Sequence, residues 1–423
     1  MGKTAFLFPG QGSQYAGMGK SLCEISSAAR EVFEEANDSL EFDIRKLCFE
    51  GGMEELTKTE NTQPAILTVS VAAYRVFMEK IGIKPEFTAG HSLGEYSALC
   101  CSGAVKFADA VRIVKRRGRF MQEAVAAGIG SMAAVSGASR KEVEEECARI
   151  SRAGRLVVVS NYNSPEQIVI SGYADAVAAA AENLEHKGAR VIPLKVSAPF
   201  HSPLMQPAAD RLREELHHYT YSAPAYQVIS NVTALPHTDT DKIIENLSRQ
   251  IVQPVRWTDS MAYLVKQDVD LAIEMGPQTV LKNLMKKNAP EVRTFSFEKE
   301  EDLSALNRQF SNREGKDAAY GAKGLALLTK CIAIAVCTKN HNWNNEEYQK
   351  GVVEPYNRIK AMKDELEKEK GQPTPGQMKE ALELLRKIFV TKITPAPEQA
   401  ERFQEIFDST GTGQLFQDFE IPA

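Results

Sequence analysis

The chain has 423 residues, about three times the ~150 residues of a typical domain, so two or three domains are expected. Its 43% hydrophobic and 25% charged residues exclude wholesale disorder, a collagen-like fibre and a disulfide-dense miniprotein. The formal net charge is -5, no long basic run is present, and no stretch approaches the ~20 apolar residues of a membrane span. Neither a nucleic-acid partner nor a membrane span is therefore expected.

The cysteines and the N-terminal segment bear on metal binding and location. The seven cysteines are odd in number and form no Cys-x-x-Cys pair, which suits neither a disulfide framework nor a zinc site. We therefore expect no bound metal. The first residues, MGKTAFLFPGQGSQ, contain no apolar run long enough for a signal peptide. These features predict a soluble cytoplasmic protein.

The first hundred residues predict two strands, each followed by a glycine-containing turn or loop and then by a helix. Residues 4–8 (TAFLF) predict a short buried strand followed by a glycine-rich loop. Residues 62–79 have the apolar spacing of a long helix. Residues 87–90 predict a small strand, and residues 94–101 a second helix directly after it.

The middle and the end of the chain differ in their predicted secondary structure. Residues 130–195 alternate in the order β-α-β-β-α-β, which predicts a ferredoxin-like insert over 129–196. From about residue 300 the apolar pattern becomes helical, in runs at 325–336, 346–370 and 375–389. The sequence thus predicts an α/β protein with a C-terminal all-α domain.

The segment Gly-His-Ser-Leu-Gly at 90–94 is the strongest local chemical signal. It fits Gly-x-Ser-x-Gly, in which glycines permit a sharp strand-to-helix turn that exposes the serine hydroxyl. The following helix aims backbone N–H groups at the site, where they stabilise an oxyanion. The pattern alone also arises by chance, but the predicted strand before it and the helix after it favour Ser92 as a nucleophile.

A serine nucleophile needs a base, and His201 is the best candidate. It lies in Ser-Ala-Pro-Phe-His-Ser-Pro, a loop stiffened by two prolines, although a loop histidine that only packs has the same local sequence. His91 is expected to point away from the serine and to pack. No acidic residue stands out as a third member, so another group is expected to orient the imidazole.

Six motifs in order carry a resemblance to a known family. FPGQGSQYAGMG, TQPAILTVS, GHSLGEYSAL, RGRFMQ, APFHSPLM and IEMGP resemble the motifs of the malonyl-CoA:acyl carrier protein transacylases. The resemblance covers about residues 3–298. It implies an α/β-hydrolase-like core over 1–128 and 197–300 that contains the ferredoxin-like insert. Residues 301–423 lie beyond it, and we interpret them as a helical accessory domain.

The resemblance implies a role for each matching residue. Ser92 corresponds to the family nucleophile and His201 to its base. Gln11 and the backbone N–H of Leu93 correspond to the oxyanion site. Gln250 corresponds to the position whose backbone carbonyl orients the histidine, which would explain the missing acid.

The resemblance also implies how the acyl group is recognised. Arg117 corresponds to the arginine that binds the free carboxylate of malonyl, and a guanidinium offers a carboxylate a bidentate partner that acetyl could not use. On composition alone Arg116, Arg117 or Arg119 could equally be a surface charge. Gln63 is a pocket-lining position. Phe200 matches the malonyl-selecting form of its loop, with a discrimination of about 1–3 kcal/mol against an α-methyl branch.

The implied reaction is ping-pong transfer of malonyl from malonyl-CoA to the phosphopantetheine thiol of acyl carrier protein, in fatty-acid or polyketide synthesis. The CoA thioester is a substrate, and no cofactor is expected. Acyl carrier proteins are acidic, so a basic docking patch is expected. Lys187, Arg190 and Lys195 are candidates for it, with a plain solvated surface as the alternative.

Two other functions remain open on the sequence alone. The first is a serine hydrolase or thioesterase that edits acyl carrier proteins, although saturated acyl chains would leave Arg117 unpaired in an apolar pocket. The second is a non-catalytic docking scaffold in which the helical domain is the functional part.

Overall fold

A computed structural model describes residues 2–40, 42–126, 128–152, 155–196, 198–368, 371–416 and 419, without the side chains of 307–322, 375 and 414. The chain forms two compact units, Met1–Leu306 and Asn307–Ala423. Among the helices described, none has both the length and the apolarity that a bilayer crossing requires.

The described strands all lie in the first unit. In chain order they are β1 (Lys3–Phe8), β2 (Phe87–Gly90), β3 (Gly130–Ser136), β4 (Val157–Ser164), β5 (Gln167–Tyr173), β6 (Arg190–Pro193), β7 (Gln227–Ile229), β8 (Val269–Glu274) and β9 (Arg293–Ser296).

The described helices run through the whole chain. They are α1 (Lys20–Ile25), α2 (Ser27–Leu40), α3 (Ile44–Glu50), α4 (Met53–Thr57), α5 (Thr59–Lys80), α6 (Gly94–Cys101), α7 (Phe107–Glu123), α8 (Arg140–Ser151), α9 (Ala174–His186), α10 (Gln206–Leu216), α11 (Thr240–Gln250), α12 (Trp257–Lys266), α13 (Val280–Asn288), α14 (Glu300–Cys337), α15 (Asn345–Tyr348), α16 (Glu354–Lys368), α17 (Pro375–Thr391) and α18 (Ala396–Thr410). Short 3-10 helices lie at Pro203–Met205 and Gly413–Leu415, and a π-helical turn at Gln349–Val353.

The main sheet is parallel, in the order β7-β2-β1-β8-β9. Its central strand β1 reads KTAFLF and is buried from Thr4 onward, as expected for a parallel sheet covered by helices on both faces. In the register of β1 with β2, Phe8 pairs with Gly90. The loops that follow these two strands therefore start at the same edge of the sheet, where ligands bind in open α/β folds.

The second sheet is antiparallel, in the order β4-β5-β3-β6. Its elements follow one another as strand, helix, two strands, helix and strand, from β3 to β6 with α8 and α9 as the helices. The apolar faces of both helices pack on it through side chains that include Val143, Ile150, Val177 and Leu184. Strand β6 lies at the edge of this sheet, and the chain leaves it toward His201.

The second unit is helical, as the sequence predicts for this region. Its core contains buried side chains from α14, α16, α17 and α18. The prediction missed α18, because the prolines before it were interpreted as a break. Pro397 instead occupies the first turn of the helix, where its missing N–H costs nothing, and Phe403, Ile406 and Phe407 supply the buried face.

Candidate active site

The segment from Gly90 to Gly94 makes a sharp turn between β2 and α6. Ser92 has φ 53°, a left-handed value that is uncommon outside glycine. A Cβ atom on Gly90 would lie 1.9 Å from backbone atoms of Gly94, and one on Gly94 would lie 2.0 Å from the carbonyl oxygen of Phe8. Both glycines are therefore needed for the close approach of strand, turn and helix. The Ser92 N–H donates to Oδ1 of Asn231 at 2.7 Å, which holds the turn.

His201 lies beside the serine. Its Nε2 is 2.9 Å from Ser92 Oγ, and its Nδ1 donates to the backbone carbonyl of Gln250 at 2.7 Å. That carbonyl ends α11, where the last carbonyls have no acceptor role within the helix and carry the negative end of its dipole. The hydrogen bond at Nδ1 leaves Nε2 as the acceptor for the serine proton. A main-chain carbonyl thus occupies the position of a triad acid.

The protonation state of His201 suits a base. Burial first, and the nearby Arg117 charge second, lower the pKa of His201 to about 3, while the hydrogen bond to the Gln250 carbonyl acts in the opposite direction. The imidazole is therefore neutral at neutral pH, which is the form that accepts a proton.

Arg117, on α7, is buried with 1% exposure beside the same serine. Its Nη1 donates to Oε1 of Gln63 at 2.9 Å, and its Nη2 donates to Oε1 of Gln250 at 2.9 Å and to Ser92 Oγ at 3.1 Å. Burial lowers its pKa, and its Nε is buried without an acceptor in the described part of the chain. Arg116 is exposed. Only Arg117 of the three candidate arginines therefore enters the site, since Arg119 pairs with Glu123 on the surface.

A buried carboxylate lies behind these groups, and the sequence analysis did not identify it. Glu95 has no exposed surface and accepts hydrogen bonds from Gln250 Nε2 at 2.7 Å, Asn231 N at 3.0 Å and His237 Nε2 at 2.9 Å. The Gln250 side chain therefore joins Glu95 to Arg117. The sequence feature that could have identified Glu95 is its position as a charged residue in the first turn of a largely apolar helix, directly after the serine turn.

These groups border one cavity of about 170 Å³. Its lining residues come from helices α5 and α7, from the antiparallel sheet and from the loops beside them: Gln11, Gln63, His91, Ser92, Leu93, Arg117, Met121, Met132, Asn161, Asn163, Val169, Leu194, Val196, Phe200 and His201. The structure thus brings seven of the eight sequence-predicted site residues to the cavity wall. Gln250 does not line the cavity, but it forms hydrogen bonds with three residues that do: Ser92, His201 and Arg117.

The cavity also contains backbone donors near the serine. The N–H groups of Gln11 and Leu93 meet no acceptor among the residues described, and both residues border the cavity beside Ser92. A helix begins immediately after Leu93, so its dipole is oriented to stabilise negative charge at this point.

His91 differs from its sequence prediction. It packs near Trp257, with ring centroids 5.6 Å apart, but it does not point away from the site. It lines the cavity, and its Nε2 is 2.8 Å from Oδ1 of Asn163 on β4. His91 therefore connects the serine turn to the second sheet, an arrangement that depends on tertiary packing.

The site combines a serine hydroxyl 2.9 Å from a neutral histidine with free backbone donors and a buried guanidinium. This arrangement suits acyl transfer through a serine ester. The acyl transferase domain family matches residues 5–307, and the chain belongs to this family. A malonyl CoA-acyl carrier protein transacylase of Bacillus subtilis strain 168 is 48% identical over 304 residues, covering 72% of this chain and 96% of that protein. Within the family, the chain is therefore one of the malonyl CoA-acyl carrier protein transacylases.

Two further comparisons extend this result. A Bacillus subtilis protein of the same name is 38% identical over 399 residues, covering 94% of this chain and 99% of its own length. A solved structure of a holo type II PKS acyl carrier protein in complex with its malonyl-transacylase matches 72% of this chain and 99% of its own, with 39% identity and a TM-score of 0.70. The 94% coverage means that the first of these relatives has a counterpart to most of the helical unit, whereas the strain 168 protein leaves more than a quarter of this chain unmatched.

Proposed function

We propose that this chain transfers a malonyl group from malonyl-CoA to the phosphopantetheine thiol of acyl carrier protein through a malonyl ester on Ser92. The observation that carries the proposal is the 3.1 Å between Arg117 Nη2 and Ser92 Oγ. In malonyl, one methylene separates the carboxylate carbon from the thioester carbon, a path of two bonds of about 1.5 Å each. A cation this close to the nucleophile fits a short acyl group that ends in a carboxylate.

In the first half-reaction, Ser92 Oγ attacks the thioester carbon while His201 Nε2 takes its proton. The N–H groups of Gln11 and Leu93 donate to the developing oxyanion. The C–S bond then breaks, and His201 returns the proton to the CoA sulfur. The product is the malonyl ester of Ser92 and free CoA.

In the second half-reaction, His201 takes the proton of the phosphopantetheine thiol, and the sulfur attacks the ester carbon. The C–O bond to Ser92 breaks, and the serine oxygen recovers the proton from His201. The Gln250 carbonyl stabilises the imidazolium in both steps, as the acid does in a serine triad. The acyl carrier protein seen with its malonyl-transacylase in the related structure supports this acceptor, in fatty-acid or polyketide synthesis.

The buried guanidinium argues against the two alternatives. Among the residues described, Arg117 donates hydrogen bonds to two neutral amides and a hydroxyl and lies 5.3 Å from the centre of the Tyr96 ring, with no carboxylate in direct contact. A hydrolase of saturated acyl chains would leave this charge unpaired, whereas a malonyl carboxylate supplies the missing countercharge. A scaffold without activity has no need of a serine and a histidine 2.9 Å apart.

The proposal is tested by intact-protein mass spectrometry after brief incubation with malonyl-CoA, methylmalonyl-CoA or acetyl-CoA. We expect a malonyl adduct that is absent from Ser92→Ala and that discharges onto added acyl carrier protein. An adduct that decays to free malonate without reaching the carrier would support the hydrolase instead. No adduct with any thioester would support the scaffold.

For the architecture, we propose an α/β-hydrolase-like core with a ferredoxin-like insert. The parallel sheet with its serine turn after β2 supports the first part. The strand order β4-β5-β3-β6, with both helices of the β-α-β-β-α-β unit on the sheet, supports the second. The proposed domain boundaries are 1–128 and 197–300 for the core, 129–196 for the insert and 301–423 for the helical accessory domain.

Phe200 is proposed to select malonyl over branched extender groups. Its ring lines the cavity next to His201 and is 6% exposed. We expect Phe200→Ala to raise kcat/KM for methylmalonyl-CoA relative to malonyl-CoA by about 10- to 200-fold, the range for one methyl-sized difference. Competition between the two thioesters, measured by adduct mass, gives the ratio. Val169→Ala, which also removes an apolar wall from the cavity, is the control, and an equal change in both variants would contradict a specific role for Phe200.

We propose that exposed basic residues of β6 and of the segment after it dock an acidic carrier protein. Arg190 and Lys195 are exposed on β6 and just after it, and Leu194 and Val196 beside Lys195 line the cavity. Lys187 is less suitable because its Nζ pairs with Glu146 at 3.3 Å. We expect Arg190→Glu with Lys195→Glu to raise KM for acyl carrier protein about tenfold while Ser92 malonylation keeps its rate. An unchanged KM at low salt would exclude this surface.

Glu95 is proposed as a positioning residue for the carboxylate clamp. In Glu95→Gln, the charge behind Gln250 is lost, and the Gln250 amide that holds Arg117 loses its fixed orientation. We expect kcat/KM for malonyl-CoA to fall about tenfold, with a smaller fall for acetyl-CoA. Both rates are measured as Ser92 adduct formation.

The control is Glu274→Gln, which changes another fully buried carboxyl group, one whose pKa is raised to about 8 by burial. Glu274 accepts the backbone N–H groups of Leu281 and Lys282 at the start of α13 and has no contact with the site. This variant should lower the melting temperature and leave the ratio of malonyl to acetyl transfer unchanged. If Glu95→Gln also leaves that ratio unchanged, Glu95 only stabilises the fold.

A further inference from the structure

Two residues of α7 contact the two ends of one amide group on α5. Gln63 is 1% exposed, and its Oε1 accepts a hydrogen bond from Arg117 Nη1 at 2.9 Å. Its Nε2 donates to Met121 Sδ at 3.6 Å, and a thioether sulfur is a weak acceptor. No stronger acceptor in the described part of the chain receives this N–H. The sulfur of Met121 is therefore the group that satisfies the buried Nε2.

The spacing along α7 makes this arrangement possible. Arg117 and Met121 are four residues apart and therefore lie on the same face of the helix. Between them, Gly118 lets α7 approach α5 closely, because a Cβ atom there would lie 2.6 Å from the Thr59 carbonyl oxygen. Gln63 is about one helical turn beyond Thr59 on α5. Its side-chain amide thus lies between the two α7 side chains.

The neighbours of the Gln63 amide decide which way it faces, because its oxygen and its nitrogen differ in hydrogen bonding. If the amide turned over, Nε2 would face the N–H of Arg117, which sets two donors against each other. Oε1 would then face Met121 Sδ, which sets two acceptors against each other. Arg117 therefore fixes one end of the amide and Met121 fixes the other.

Met121 suits this role because its side chain is neutral. It is 2% exposed, and its flexible, unbranched thioether can reach the amide and accept its N–H. A carboxylate at this position would accept the N–H more strongly, but its charge would compete with the malonyl carboxylate for Arg117. The sulfur holds the amide and adds no negative charge beside the guanidinium.

We propose that Met121 is a positioning residue for malonyl recognition. Its Sδ keeps the Gln63 amide turned so that Oε1 faces Arg117, and Gln63 in turn helps to hold the guanidinium beside Ser92 Oγ. Without the sulfur, the buried Nε2 has no acceptor, and the amide gains by rotating away from Arg117. This proposal rests on the proposed function, in which Arg117 binds the malonyl carboxylate.

Met121→Leu tests the proposal because leucine nearly keeps the volume and removes the acceptor. We expect kcat/KM for malonyl-CoA, relative to that for acetyl-CoA, to fall about three- to tenfold, since acetyl has no carboxylate that needs Arg117. Both rates are measured as Ser92 adduct formation by intact mass. Met121→Gln, which restores an acceptor on an unbranched side chain, should recover most of the ratio. Equal losses in the two variants would overturn the proposal.

The matched control is Met132→Leu. Met132, on β3, is 4% exposed and lines the same cavity, but it forms no hydrogen bond with Gln63 among the residues described. Its replacement makes a similar change in the cavity wall and should leave the malonyl-to-acetyl ratio unchanged, even where both rates change together. A similar fall of the ratio in Met132→Leu and Met121→Leu would make the effect one of cavity shape and would overturn the proposal.

A double-mutant cycle with Gln63→Ala separates positioning from direct contact with the substrate. If Met121 acts through Gln63, Met121→Leu should change the ratio by less than about twofold once the amide is gone. An undiminished effect of Met121→Leu in the Gln63→Ala background would overturn the proposal. Melting temperatures establish that each variant is folded. If Gln63→Ala is not, the comparison of Met121→Leu with Met121→Gln decides the outcome.

The same measurements separate this proposal from the proposed function. A malonyl adduct on wild-type Ser92 together with an unchanged ratio in Met121→Leu would overturn the role of Met121 and leave the transferase intact. Absence of the adduct from the wild-type protein would instead contradict the proposed function.

Discussion

Replacing His201 with alanine is expected to slow malonylation of Ser92 by about 10⁴-fold, because the serine loses its only base within hydrogen-bond distance in the described site. Quenched-flow sampling followed by intact mass gives the rate. His218→Ala, at an exposed histidine on the first unit, should behave as wild type. A His201→Ala enzyme that acylates within tenfold of wild type would show that another group takes the proton.

The pH dependence tests the same residue without a mutation. A base acts only when neutral, and burial with the Arg117 charge lowers the pKa of His201 to about 3. The rate of Ser92 acylation by malonyl-CoA, as kcat/KM, should therefore stay flat from pH 8 down to about pH 5, where an ordinary histidine with a pKa near 6.5 would already be protonated. Arg117→Met removes the neighbouring positive charge, so the pKa of His201 should rise. The fall in rate at acidic pH, measured with acetyl-CoA, should then occur at higher pH. A fall in the wild-type rate centred near pH 6.5 would contradict the buried, neutral imidazole.

Replacing Arg117 is the second change with a large expected effect. Arg117→Met keeps much of the aliphatic volume and removes the charge, so kcat/KM for malonyl-CoA should fall by about 10²- to 10³-fold, the loss of one desolvated charge pair. Acetyl-CoA has no carboxylate to pair, and its transfer should be unchanged or faster. Arg117→Lys should recover only part of the malonyl rate, because an ammonium lacks the planar fork of the guanidinium.

The comparison of the two thioesters decides the role of Arg117. Arg119→Ala, which removes a surface arginine of the same helix, is the matched control and should leave both rates unchanged. An equal loss of malonyl and acetyl transfer in Arg117→Met would mean that the guanidinium acts on Ser92 Oγ rather than on the substrate carboxylate.

The local part of the site could be predicted from the sequence because its geometry is local. The serine turn depends on two glycines within five residues and on the strand and helix that flank it, and all of these appear as short-range patterns. The resemblance then supplied residues from distant segments, among them Gln250 and Arg117. Their distances and their shared contact with the serine required the folded chain.

The network behind the site could not be predicted in this way. Its members come from three separated segments: Glu95 from the helix after β2, Asn231 and His237 from the chain after β7, and Gln250 from α11. Their hydrogen bonds exist only because β2, β7 and α11 pack together. Periodicity identifies the apolar face of each element but carries no information about which polar groups meet inside. The same limit explains why His91 was expected to face away from the cavity.

The orienting group for His201 has a consequence for laboratory evolution. Every amino acid supplies a backbone carbonyl, so no substitution at position 250 deletes that acceptor, whereas a triad carboxylate disappears with a single base change. The side chain of Gln250, in contrast, contacts Arg117 and Glu95. Saturation of this one codon should therefore explore acyl-group preference while the proton relay persists in every clone that folds.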